Sequence, residues 1–278
     1  LGGSKAKLVE ERLSDRYAVH RTDGGLWVHL IMDLEHPVTG ELAFRRVLND
    51  RLDRSALAHV YGRGAAAPAR GLFPANHPGR VDTPRPSPTA DDRARVAELA
   101  RAHPAVDLFL ASESRRGADL VALLGEALAA LGFELRVRAT PFDVLNQRLE
   151  AGQVGGMVLY GWRIRPDWDA NSILHSKGRQ NFSGFSDPEV DAKLEAAQAG
   201  LDPAARAQAL QAVARRYRAV LPSVPLLFGQ AISVRPRWLR RWRPTGTTTP
   251  VTWNAERWSG APGDPGAAPA VDAGFGAP

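Results

Sequence analysis

The chain has no cysteine among its 278 residues. That absence removes disulfide frameworks, iron–sulfur centres, thiolate zinc sites and cysteine nucleophiles together. It leaves the compartment open, because an oxidising environment does not require disulfides. No apolar run reaches the roughly 18 residues that a membrane-spanning helix needs. The phosphate loop G-x-x-x-x-G-K-[ST], the zinc motif H-E-x-x-H and the nucleophile elbow G-x-S-x-G are all missing. Gly62-Arg63-Gly64-Ala65-Ala66-Ala67 fits the letters of a dinucleotide fingerprint. It follows a helical pattern and runs into Pro68, where the fingerprint has to follow a strand and open a helix, so it reads as a plain loop. The seven histidines are isolated, with no pair spaced for a metal. Asp33, Glu35 and His36 form the single knot of potential ligands, and a solvated strand end accounts for it. No cofactor, no metal and no nucleophile-and-base system is expected, so no enzyme is indicated.

What is present is ordinary for a globular protein. Apolar residues make up 44% and charged residues 24% of a 30.1 kDa chain, enough to bury one large core or two. The net charge of +6 and pI near 10.1 come from cations that are largely arginine and spread along the chain. Diffuse arginine argues only weakly for nucleic acid; a clustered stripe would argue better. The sequence opens Leu1-Gly2-Gly3-Ser4 without a charged-then-apolar leader, which suggests processing or a fragment. The stretch 259–278 is rich in Gly, Pro and Ala and reads as a disordered tail. Gly and Pro also recur from Gly62 to Ala90, which reads as a long surface connection within one domain.

Periodicity supplies the elements. Gly24 to Met32 reads as a strand, and Glu41 to Tyr61 as one helix stopped by Gly62. Asp91 to Ala102 is a second helix and Val106 to Leu110 an apolar strand. Ala118 to Leu131 is helical with five leucines on one face. Phe133 to Arg138 alternates like a half-buried strand. Thr140-Pro141 reads as a cap followed by Pro at the first position of a helix that ends near Ala151. Gly155 to Tyr160 is a further strand. Strand, helix, strand, helix, strand between 106 and 160 implies crossover units and a mostly parallel sheet flanked by helices, an α/β fold. Asp187-Pro188 and Asp202-Pro203 each open a helix, ending near Gly200 and Val220. Two extended segments follow, 224–228 and 232–234.

Two clusters carry chemistry. Arg235 to Arg243 packs five arginines with Trp238 and Trp242. Such a mixture suits nucleic acid or an anionic membrane surface; equally, it suits a solvated arm whose tryptophans pack on the body. Tyr160-Gly161-Trp162-Arg163-Ile164-Arg165-Pro166-Asp167-Trp168-Asp169 leaves the carboxyl end of an expected parallel strand, where open α/β sheets hold their ligands. Its aromatics, cations and carboxylates are the composition of a pocket with an apolar wall and a few orienting charges. Tyr160, Trp162, Arg163, Arg165, Asp167, Trp168 and Asp169 are therefore the candidate ligand-binding residues.

The same residues carry a resemblance. Gly161-Trp162-x-x-Arg165-Pro166-Asp167-x-Asp169-x-Asn171, then His175-Ser176, then Asn181-Phe182-Ser183-Gly184-Phe185-Ser186-Asp187-Pro188-Glu189 resemble the family 5 solute-binding proteins, the dipeptide-, oligopeptide- and nickel-type receptors of ABC importers. Phe44-Arg45-Arg46-Val47-Leu48-Asn49 with Leu52-Asp53-Arg54 resembles that family's helix of the form R-x-A-L-N-x-A-I-D-R. The likeness covers about residues 20 to 245, the carboxy-terminal part of considerably longer proteins. It implies a periplasmic-binding-protein type II-like lobe, one half of a two-lobe clamp that closes on ligand. Residues 26–230 would be the ligand-binding lobe, 1–25 a remnant of what precedes it, and 231–258 a segment returning to the N-terminal lobe. The resemblance implies a non-catalytic, extracytoplasmic (periplasmic) receptor for a peptide-like or other polar solute. It would work as a monomer with ABC permease subunits, without nucleic acid or a transmembrane segment. The alternative is the solute-sensing domain of a cytoplasmic helix-turn-helix regulator. In the family's peptide binders the third residue after the Trp is an Asp that pairs with the ligand's α-amino group. Here Arg165 stands there, which favours a carboxylate or phosphate on the ligand, or else an internal pair with Asp167 or Asp169.

Overall fold

The computed structural model describes residues 3–82, 86–164, 167–244, 252 and 254–260. Arg165, and the tail from 261 onward that the sequence reads as disordered, lie outside the described residues.

The elements run α1 (Gly3–Arg12), β1 (Tyr17–Met32), α2 (Leu42–Arg51), α3 (Arg54–Gly62), β2 (Ala66–Pro68), α4 (Ala90–Ala102), β3 (Ala105–Ala111), α5 (Arg115–Ala129), β4 (Glu134–Thr140), α6 (Phe142–Glu150), β5 (Met157–Trp162), α7 (Asn171–Leu174), α8 (Pro188–Ala199), α9 (Pro203–Val220) and β6 (Ser223–Pro236). Among the described residues one six-stranded sheet has the order β2-β6-β1-β5-β3-β4. The expected crossover units are there, with β3 parallel to both β4 and β5. β1 pairs antiparallel with β5 and β6, and β2 antiparallel with β6. Four of the six strands thus point one way, with β1 and β2 against them. Gly156, at φ 127°, opens β5 where a Cβ would sit 2.9 Å from the Asp107 carbonyl oxygen, so only glycine lets the two strands meet.

The sheet separates two layers of core. On one face Leu30, Leu108, Leu124, Met157 and Leu226 pack with α2 to α5. On the other, Trp27, Leu194, Leu210, Tyr217 and Phe228 pack under α8 and α9, and Leu145, Leu149 and Val158 under α6.

Helix starts follow side-chain chemistry. Thr89 and Asp92 form a reciprocal capping box for α4. Asp187 and Asp202 each accept two backbone N–H groups and are followed by Pro at the first position. The single helix expected over 41–61 is two. Leu52 and Asp53 are extended, and the Asp53 carboxylate accepts from Ser55 and Ala56 N–H at 3.0 Å each, starting a new helix. Buried Arg54 fixes the break by donating to the Asn49 carbonyl oxygen (2.7 Å) and the Pro225 carbonyl oxygen (3.0 Å). The Thr140 cap is also corrected. Thr140 ends β4, Pro141 occupies the cap position without a side-chain bond, and Glu113 accepts from Phe142 N–H at 3.3 Å. The 62–90 connection is more than a surface loop, because β2 joins the sheet and Ala69, Leu72, Phe73 and His77 are buried.

Candidate functional site

β5 ends at the carboxyl edge of the sheet with Tyr160 and Trp162 two residues apart, and hence on one face. Their cross-strand partners are His29 and Trp27. Trp162 Nε1–H donates to His29 Nε2 at 2.9 Å. His29 is buried, and burial pushes its pKa down to about 3, so its ring is neutral and offers that lone pair. The Tyr160 hydroxyl donates to Asn146 Oδ1 on α6 at 2.7 Å, and burial raises its pKa.

Two further rings extend this pair. Phe142, half exposed at the start of α6, stacks on Tyr160 with centroids 6.1 Å apart. Phe182 stacks on Trp162 at 6.0 Å, and Tyr160 and Trp162 are 4.8 Å apart. Phe182 is placed by a turn that Asn181 ties together. Its Nδ2 donates to the carbonyl oxygens of His175 (3.1 Å) and Phe185 (2.6 Å), and its Oδ1 accepts from Phe185 N–H at 3.1 Å. A small cavity of about 20 Å³ lies against Trp162 and Phe182, lined also by His29, Ile31 and Leu174. The four rings present apolar ring surface, and the polar groups hydrogen-bonded to Tyr160 and Trp162, Asn146 and His29, are neutral. Such a wall stacks against an apolar or planar ligand body; it contains no carboxylate pair or activated nucleophile.

The other sequence candidates lie elsewhere. Trp168 packs into the second core layer, 5.6 Å from both Trp27 and Phe73, and its carbonyl oxygen accepts from His77 Nε2–H at 2.8 Å. His77 Nδ1 accepts from Gly79 N–H, and burial lowers the His77 pKa to about 4. Asp169 accepts from Asn171 N–H (2.9 Å) and Gln198 Nε2–H (3.1 Å), which commits both carboxylate oxygens to the local fold. Asp167 is exposed, and its carbonyl oxygen accepts from Arg206 at 2.9 Å. Arg163 is exposed just beyond Trp162 with no ion pair among the described residues. Phe142, Asn146 and His29 stand outside the sequence cluster; the first two reach the wall from α6 and the third from β1. Asp33, Glu35 and His36 serve a turn, with His36 Nδ1 accepting from Val38 and Thr39 N–H. Among the described residues no group of three His, Cys, Asp or Glu is placed to hold a metal ion.

In the Arg235–Arg243 run, Arg235 donates to His20 Nε2 (3.1 Å) and to the carbonyl oxygen of Leu239, Arg237 donates to the Ser14 carbonyl oxygen, and Trp242 meets His20 edge-on at 5.1 Å. These contacts bind the run to β1 and its approach.

No family model matches the chain. It is 26% identical over 197 residues to Protein XP55 of Streptomyces lividans, covering 63% of this chain and 35% of that protein. It is 25% identical over 195 residues to di/tripeptide-binding protein 4 of Pseudomonas aeruginosa, covering 66% and 36%. The matched stretch is thus about a third of the length of these curated relatives. Among solved structures, the oligopeptide-binding protein AppA from Bacillus subtilis, in complex with a nonapeptide, superposes with a TM-score of 0.69 at 14% identity, over 93% of this chain and 55% of that one. The chain has the fold of one lobe of the family 5 solute-binding proteins.

One feature of the lobe lies right beside the aromatic wall. Because Trp27 pairs with both Trp162 and Phe228, the residues of β1 before Trp27 and those of β6 after Phe228 continue past the carboxyl edge as a two-stranded ribbon, Tyr17 with Pro236 at its far end. The ladder is irregular between Asp23 and Leu26, with Gly25 at φ 84°, where the ribbon leaves the sheet.

Proposed function

We propose that this lobe is the ligand-closing part of a substrate-binding component of an ABC importer, taking up a peptide-like or other polar organic solute outside the cytoplasm. Capture is by closure against a second lobe, without a catalysed reaction, and delivery is to permease subunits. The observation that carries this reading is the aromatic wall of Phe142, Tyr160, Trp162 and Phe182 at the edge from which the ribbon departs. A ribbon that leads away from the sheet on the ligand side is the connection a two-lobe clamp requires. The printed names of the relatives, a di/tripeptide-binding protein and an oligopeptide-binding protein holding a nonapeptide, support the choice of solute. On this reading residues 26–230 form the lobe, and residues 1–25 and 231–258 link it to its partner lobe. Arg163 and Arg165 would favour an acidic group on the ligand, with Asp167, Trp168 and Asp169 holding their loop.

The test is calorimetric titration of the protein, joined to its second lobe, with a library of short peptides. Trp162→Ala should weaken the best ligand about tenfold, as loss of one ring stack implies. Arg165→Asp should weaken acidic ligands selectively. Unchanged affinity in Trp162→Ala would overturn the assignment of the wall.

A further inference from the structure

A sizeable cavity lies away from the aromatic wall. It opens between the β2–β6 edge of the sheet, the loop 69–82 and the last turns of α9, with a volume of about 610 Å³. That is the size of a small-molecule site. Its lining mixes apolar side chains, Leu72, Phe73, Val81 and Phe228 among them, with charged groups, three guanidinium groups (Arg70, Arg80 and Arg218) against one carboxylate, Asp82. Arg80 and Asp82 pair at 2.7 Å. Arg218 is held at the wall by donating to the Arg70 carbonyl oxygen at 3.3 Å. Glycine at 71 makes room for this arrangement, since a Cβ there would stand 3.3 Å from Arg218 Nε. Arg70 is exposed at the opening. A concave site that sets apolar side chains beside a net positive charge, with planar donors at its lining, matches an oxyanion on an apolar body, because guanidinium groups bind carboxylate and phosphate by charge-assisted hydrogen bonds.

We propose that this cavity is a second binding site, for a carboxylate or phosphate group carried on an apolar body. It is separated from the aromatic wall by β1, and nothing in the proposed transport function requires it.

The experiment titrates the intact chain with octanoate, octyl phosphate, octan-1-ol and inorganic phosphate, followed by calorimetry. Octanoate or octyl phosphate should bind, and the stronger of the two identifies the head group. Octan-1-ol and inorganic phosphate should each bind at least about tenfold more weakly, since each lacks one half of the recognised chemistry. Arg70→Glu, at an exposed position that leaves the core intact, should weaken the bound anion by about tenfold or more. Ala75→Trp, at an exposed lining position, should obstruct the cavity and abolish binding. Equal binding of octanoate and octan-1-ol, indifference to both substitutions, or no binding of either amphiphile would overturn the proposal.

Discussion

His29 shows how a single residue serves the wall and the core at once. Its ring stacks on Trp27 at 4.0 Å while Nε2 takes the Trp162 indole proton, an arrangement that only the neutral imidazole allows. Burial holds its folded pKa at about 3 against an ordinary 6.5, and the same cause holds His77 at about 4. The unfolded chain therefore binds protons that the folded chain refuses, and stability falls as pH drops from about 6.5 toward these values. Thermal melts between pH 7 and about pH 4.5 should show a steeper loss for the wild type than for His29→Gln, which keeps an acceptor but does not titrate. Parallel curves would mean that His29 does not govern this window. Asp187 works in the opposite sense. Burial alone would raise its pKa, but the Arg216 guanidinium at 2.6 Å and the N–H groups opening α8 outweigh that and hold it below the usual range. Its contribution is present above the ordinary carboxylate pKa and is lost as pH falls through the lowered value. Asp187→Ala removes a helix cap and an ion pair and should cost about 2 kcal/mol in urea unfolding, with Asp187→Asn, which keeps the cap, costing about half as much.

At the scale of elements, legibility tracked how local the signal is. α8 and α9 could be placed from sequence because Asp-Pro specifies a cap and a first turn within four residues. The break between α2 and α3 was missed because apolar spacing runs through it; the deciding bonds come from Arg54 to α2 and to a strand some 170 positions away. The amino-terminal half of β1 was missed for a related reason. Tyr17 to Asp23 has no apolar alternation and is a strand because β6 pairs with it. The wall divides the same way. Tyr160 and Trp162 announced themselves as a local cluster, whereas Phe142, Asn146 and His29 meet them only through the sheet order. Trp168 and Asp169 shared the cluster's composition but turn into the fold. Arg63 offers a test of local strain, since it closes α3 in the left-handed region at φ 45° with its side chain exposed. Glycine adopts that conformation freely, so Arg63→Gly should raise the unfolding free energy by about 0.5 kcal/mol, the relief of strain less the added chain entropy. A destabilised variant would show that the Arg63 side chain matters more than its backbone.

Among the described residues the core lies on both faces of one sheet, and the central strands belong to both sides. Along β1, Val28, Leu30 and Met32 enter one layer while Trp27 and Ile31 enter the other side; β6 sends Leu226 one way and Phe228 the other. Neither layer can lose its packing without releasing strands that the other needs, so the two should unfold together rather than as separate domains. Leu124, in the layer under α5, and Leu210, in the layer under α9, are both fully buried. Leu124→Ala and Leu210→Ala should each cost about 2–5 kcal/mol. In both variants circular dichroism and tryptophan fluorescence should still report a single transition at one midpoint. The fluorescence probe is informative because Trp27, Trp162 and Trp168, three of the seven tryptophans, pack in the layer that contains Leu210. If Leu124→Ala shifted the helical signal while leaving the tryptophan transition in place, the two layers would be independent folding units and the sheet merely their boundary. Coincident shifts would mean that the aromatic wall, the arginine-lined cavity and the ribbon are held by one cooperative structure, so a ligand bound at either place would stabilise all of it.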